Sequence, residues 1–141
     1  MAKQIVVFTM GKQHYAIPME EVLEIIRLVK ITPIPKASRW IKGVISLRSA
    51  IIPVLDLAPV LGRATENVNA KQRIMVVKAG DHTAGIIVDA VEEVTFYDPE
   101  QLEFPAYLPL LENERLVQGI FKYRDALGLL INLSALVQLD H

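Results

Sequence analysis

The chain repeats itself. Set against itself at an offset of 69, Ile5-Val6-Val7-Phe8 falls on Ile74-Met75-Val76-Val77, Gly11 on Gly80, Ile17 on Ile86, Val22 on Val91 and Glu24 on Glu93. Six of the 21 pairs from Ile5 to Ile25 are identical without a gap. At an offset of 76, Gly43-Val44-Ile45 falls on Gly119-Ile120-Phe121, Arg48 on Arg124, Ala50 on Ala126 and Asp56-Leu57 on Asn132-Leu133. Such a chain reads as two like units. With 141 residues in all, each is too small to hold a large core alone, so the two are expected to pack on one another as a single domain. The units are placed at about residues 1–66 and 67–141, joined by a loop around Gly62–Lys71. The second copy is longer between its matched blocks, and the extra residues fit Asp98–Arg115, which carries three prolines and reads as a long loop.

Within each unit, short runs rich in Val and Ile alternate with turn residues, a pattern of all-β structure. Strands are expected near Gln4–Met10, His14–Ile17, Glu24–Thr32, Lys42–Arg48 and Ile51–Asp56. The second set falls near Arg73–Ala79, Thr83–Val88, Val91–Tyr97, Leu116–Lys122 and Leu127–Asn132. Helix is minor: a turn after Pro18, another around Leu57–Leu61, and Ser134–Leu139.

Charge breaks the symmetry of the repeat. Residues 1–70 hold nine Lys/Arg against five Asp/Glu, whereas residues 71–141 hold six against eleven, so two similar units present different surfaces. The whole chain is near neutral, at −1, which removes the general pull toward phosphate backbones or anionic lipid. It has no cysteine, so disulfides, thiolate metal sites and a cysteine nucleophile are excluded, and a reducing cytosol suits it. No signal peptide is read at the start. The richest apolar stretch, Ile41 to Leu61, is broken by Lys42, Arg48 and Asp56, so no membrane insertion is expected.

Catalytic chemistry finds no support. His14, His82 and His141 have no partner at a metal-ligand spacing, no Gly-x-Ser-x-Gly elbow surrounds a serine, and Ile86-Ile87 stand where a phosphate loop beginning at Gly80 would need Lys and Ser/Thr. Glu20-Glu21 and Glu92-Glu93 are adjacent carboxylates, but neighbours on a strand point to opposite faces and acids suit the start of a short helix. No cofactor or metal is expected. Lys36, Arg39, Lys42 and Arg48 around Trp40 form a basic stretch that a single-stranded nucleic-acid binder could use, but four cations over thirteen residues of a near-neutral chain are more often a solvated edge. What remains is a binding module working with β edges and apolar grooves.

The segment Pro33-Ile34-Pro35 through Gly43-Val44-Ile45-Ser46-Leu47-Arg48 to Pro53-Val54-Leu55-Asp56-Leu57 resembles the signature of the CheW family of bacterial chemotaxis coupling proteins. Further matches are the Val7-Phe8 strand, the block from Tyr15-Ala16-Ile17 to Val22-x-Glu24-Ile25, and Gly85-Ile86-Ile87-Val88-Asp89-x-Val91. The resemblance implies two five-stranded β-barrels, each like a Src-homology barrel, packed together with a hydrophobic groove between them. It also implies a non-enzymatic cytoplasmic adaptor that couples the signalling tips of methyl-accepting chemoreceptors to the regulatory domain of the histidine kinase CheA. Ser49 and Ala50 stand where the family has a turn glycine, so a turn needing positive φ would be strained there.

Carried over residue by residue, the resemblance marks Val22, Glu24, Gly43, Arg48, Val91 and Val94 as partner-binding positions, Gly43 as a point of close backbone approach to the kinase. Val22 and Val91 are equivalent in the repeat and would flank the groove from both sides. Glu24 and Arg48 would pair across neighbouring strands, and the pair would orient the Arg48 guanidinium. The alternative is a small barrel that binds single-stranded nucleic acid through Trp40 and its flanking cations.

Overall fold

The computed structural model of the chain describes residues 2–38, 40–59, 69–103 and 116–136. It holds ten strands: β1 (Lys3–Met10), β2 (Gln13–Pro18), β3 (Val22–Arg27), β4 (Ile41–Leu47), β5 (Ala50–Asp56), β6 (Arg73–Ala79), β7 (His82–Val88), β8 (Ala90–Tyr97), β9 (Val117–Tyr123) and β10 (Ala126–Ile131). Among the described residues, helix is confined to two 3-10 turns, Met19–Glu21 and Pro99–Gln101, and the four-residue α1 (Leu133–Leu136). No helix among the described residues is long and apolar enough to cross a membrane. The expected strands are all present. β3 ends at Arg27 rather than Thr32, because only Thr32 beyond it returns to a ladder, bridging Val44. Expectations for Gly62–Lys71 and Asp98–Arg115 lie largely outside the described residues, as do the ends of the turn placed around Leu57–Leu61, where Ala58 and Pro59 do form a turn, and of the helix placed at Ser134–Leu139.

The strands form two five-stranded sheets, one in the order β8-β1-β2-β10-β9 and the other β3-β6-β7-β5-β4. Exchanging each strand for its repeat partner turns one order into the other. The registers agree to the residue. Met10 faces Gln13 as Ala79 faces His82, Val7 faces Glu93 as Val76 faces Glu24, and Leu130 faces Ala16 in parallel as Val54 faces Gly85. Bulges recur too, at Leu23 and Glu92 on the third strand of each copy and at Lys42 and Gln118 on the fourth. Even the turn after the fifth strand is duplicated: Asp56 Oδ1 accepts the Ala58 N–H at 3.0 Å, and Asn132 Oδ1 accepts the Ser134 N–H at 3.1 Å.

Two expectations need correction. Residues 1–66 and 67–141 delimit the copies of the repeat but not the layers of the fold, for each sheet joins the first two strands of one copy to the last three of the other. The 3-10 turn Met19–Glu21 carries the chain out of one sheet and into the other. Nor are the sheets closed barrels by their ladders. β8 and β9 end one sheet and β3 and β4 the other; among the described residues the gap between the ends is spanned by a single bridge, Glu103 to Ile120 in one and Thr32 to Val44 in the other.

Three cores result from period-two alternation on strands buried on both faces. Ile5 and Val7 point into a cluster with Ala16, Phe121, Tyr123 and Leu130 inside the first sheet. Ile74 and Val76 do the same with Ile45, Ile52 and Val54 in the second. The intervening side chains, Val6, Phe8 and Met10 from β1 and Met75 and Val77 from β6, meet in a central cluster that binds the sheets together. Where the resemblance implies a hydrophobic groove, the described residues show this packed seam. Burying such side chains contributes about 1.5–3 kcal/mol each, which is why neither sheet is independent of the other.

Candidate functional site

The turn between β4 and β5 is built on Arg48 and Ser49, both with left-handed backbone, at φ 50 and φ 70. The strain expected from the missing glycine is therefore real, about 1–2 kcal/mol per residue. Tight left-handed geometry projects the Arg48 side chain outward, 79% exposed, and its guanidinium meets the Glu24 carboxylate of β3 at 2.6 Å. β3 and β4 are the two ends of their sheet, so this ion pair reaches across its open side. An exposed pair stabilises by at most about 1 kcal/mol, so its structural consequence is orientation.

Exposed apolar side chains surround this pair along the chain: Leu23 and Ile25 flank Glu24 on β3, and Ile51 follows the turn at 76% exposure. The second sheet end repeats the arrangement. Arg124, also left-handed at φ 54, pairs with Glu93 of β8, and Val94 and Leu127 occupy the places of Ile25 and Ile51, both exposed.

Of the residues marked from sequence, Glu24 and Arg48 are in direct contact. Val22 and Val91 are half-buried against the central core, one from each sheet. Val94 is exposed on β8. Gly43 takes φ 150, and a Cβ there would fall on the carbonyl oxygen of Thr32, so the close backbone approach visible at Gly43 is to its own chain. Sequence reasoning missed the Glu93–Arg124 pair, together with Tyr123, whose hydroxyl donates to the same Glu93 carboxylate. The signal was available: both residues stand at the repeat offsets from Glu24 and Arg48.

The electrostatics follow the geometry. The Tyr123 hydrogen bond, aided by Arg124, holds the Glu93 carboxyl below the usual range, while burial and that same bond push the Tyr123 phenol up to about 12. At the 3-10 turn, burial and the neighbouring Glu20 raise Glu21, one of whose oxygens is buried with no hydrogen-bond partner. Tyr97, which lines an open cleft together with Glu20 and Glu21, is raised by burial and then by those two carboxylates. Among the described residues, no three of His, Asp and Glu converge closely enough to hold a metal ion. Trp40 is half-buried against the central core, which leaves less of its indole for stacking bases. Arg39 lies outside the described residues.

Two five-stranded sheets packed on a common seam, each with a Glu–Arg pair across its open side, define a class of duplicated β-rich domain. Comparison with known proteins fixes which: residues 4–141 match the CheW-like domain, and the chain belongs to the CheW family. It is 28% identical over 137 residues to the chemotaxis protein CheW of Helicobacter pylori, an alignment covering 97% of this chain and 82% of that protein. It is 32% identical to protein PilI of Pseudomonas aeruginosa over 133 residues, 93% of this chain and 73% of PilI. Among solved structures, the scaffolding protein TtCheW of Thermoanaerobacter tengcongensis matches at a TM-score of 0.85 and 36% identity, covering 93% of this chain and 84% of that one.

Proposed function

We propose that the protein is a non-enzymatic adaptor that couples chemoreceptors to the histidine kinase CheA, working in the cytoplasm against membrane receptor arrays through its partners. The observation that carries this reading is the meeting of Glu24 and Arg48, two residues of the family signature 24 positions apart, as an exposed pair amid apolar side chains. A guanidinium braced on one side by its own carboxylate offers its remaining donors in a fixed fork to a partner carboxylate or carbonyl, a geometry suited to recognition rather than turnover. Val22, Gly43, Val91 and Val94 complete the proposed docking positions. Each sheet, with its bridge and ion pair across the open side, is read as a barrel of the Src-homology kind.

The test is direct. The purified chain should capture both the regulatory domain of the kinase and a receptor signalling tip, and the two together should be retained on it. Salt-sensitive binding of a single-stranded oligonucleotide with no capture of either protein would sink the adaptor reading in favour of the nucleic-acid alternative.

A further inference from the structure

The two sheet ends are equivalent in position but not in how they are held. On the β3 end, Glu24 is met by Arg48. At the β8 end the Glu93 carboxylate accepts from two groups of the opposite edge, the Tyr123 hydroxyl and the Arg124 guanidinium. Arg124 lies over the Tyr123 ring, 5.1 Å from its centroid, and the His14 ring packs on Tyr123 at 5.0 Å. Leu47 and Thr83 stand in the places of Tyr123 and His14 in the other copy, so this grip belongs to one sheet only.

What it grips is the weak point of the edge. Among the described residues β8 has β1 as its sole ladder neighbour, and the ladder steps from Val7–Glu93 to Phe8–Val91, leaving Glu92 as a bulge. A bulge leaves one residue unpaired and loosens the local register. Val91 and Val94 lie on either side of it. Tyr123 is buried, so its hydroxyl is anchored, and the Arg124 charge is met by Glu93 in a half of the chain already rich in acids.

We infer that Tyr123 and Arg124 are positioning residues for the β8 edge: by holding Glu93 from the far end of the sheet they fix the bulged segment so that Val91 and Val94 are presented to a partner in one geometry. This rests on the reading of Val91 and Val94 as docking positions.

The experiment is a double-mutant cycle on the full chain, with the kinase regulatory domain and a receptor signalling tip titrated in parallel. Tyr123→Phe and Arg124→Ala should each weaken about tenfold the partner that Val94→Ala weakens, as expected for loss of one charge-assisted hydrogen bond. Arg124→Lys, whose ammonium still reaches Glu93, should restore most of it. Because Tyr123 acts through the presentation of Val94, adding Tyr123→Phe to Val94→Ala should cost little further. If Tyr123→Phe is silent, or its effect simply adds to that of Val94→Ala while melting temperature and both affinities fall alike, the positioning role is overturned. If Val94→Ala itself leaves both partners bound as in the wild type, it is the docking reading that fails, and the inference falls with it.

Discussion

Arg48 reaches Glu24 from the opposite end of the same five-stranded sheet, at 2.6 Å, out of a turn whose two residues are both left-handed. A strained backbone and an exposed ion pair are each poor ways to stabilise a fold. Together they aim a guanidinium.

Replacing that guanidinium should therefore separate binding from stability. Arg48→Ala and Arg48→Lys should shift the melting temperature by no more than about 2–3 °C, since an exposed pair is worth at most about 1 kcal/mol. Both should weaken assembly with kinase domain and receptor tip ten- to a hundredfold, the cost of about 1.5–3 kcal/mol for one charge-assisted hydrogen bond. Calorimetric titration checks it; wild-type affinity in both variants would make Arg48 a solubilising turn residue.

The adjacent Ser49 offers the opposite outcome. At φ 70 a glycine is relaxed where serine is strained. Ser49→Gly should raise stability by about 0.5–1 kcal/mol, the relief being partly offset by the greater freedom of glycine in the unfolded chain. Urea unfolding should show a higher midpoint with an unchanged slope.

Gly43→Ala should be severe. The new methyl would fall on the Thr32 carbonyl at a backbone angle that L side chains rarely adopt, and the Thr32–Val44 bridge across the sheet opening would break. A loss of about 2–4 kcal/mol is expected, measured by chemical denaturation. If stability is unchanged, the approach to Thr32 is not what requires glycine here, and only the docking role of Gly43 is left to account for it.

Alkali should find Tyr123. Its phenol is raised to about 12 from 10.0 in an unfolded chain, so the folded state holds that proton more tightly. The stabilisation is complete below pH 10 and is lost as pH rises from 10 toward 12. A difference titration of tyrosinate absorbance between the wild type and Tyr123→Phe should show one missing group titrating near the top of that window, and the variant's stability should fall less steeply across it.

Glu21 carries the reverse sign for a carboxylate. Its folded-state pKa lies above 4.5 because burial and Glu20 disfavour the charge, so stability falls as pH rises through that raised value. Glu21→Gln should melt higher at pH 7, and the difference should vanish well below pH 4.5, where both side chains are neutral. An equal gain at both pH values would show that the effect is not one of charge.

Much of this architecture is legible in the chain because a strand's neighbours along the sequence write its pattern. The offsets of 69 and 76 hold residue for residue in the ladders, down to the bulges. The exchange of strands between copies is not legible. A strand that pairs with its own copy and one that pairs with the other copy have the same alternation, and the crossing at Met19–Glu21 is only three residues long. A strand from Glu24 to Thr32 is expected because Leu28, Val29 and Ile31 prolong the apolar run; the ladder with β6 stops at Arg27, and beyond it only Thr32 pairs, with Val44 on the other edge. The Glu24–Arg48 pair could be expected from its motif. The Tyr123 grip on Glu93 could not, since it depends on which sheet ends face each other across an opening.

The interleaving of the two copies also governs how the chain comes to be folded. When β1 and β2 leave the ribosome, the strands that complete their sheet are still about seventy or more residues away, and β10, which must lie beside β2 in parallel, follows it by about a hundred. The middle sheet, β3 to β7, is contiguous and can assemble first, offering the inner faces of β6 and β7 as a template on which the waiting hairpin is shielded. A half-length fragment would leave unpaired edges and half a seam, and the stable way to satisfy them is to trade strands with a second fragment. The single chain is in that sense a swapped dimer made permanent by a linker.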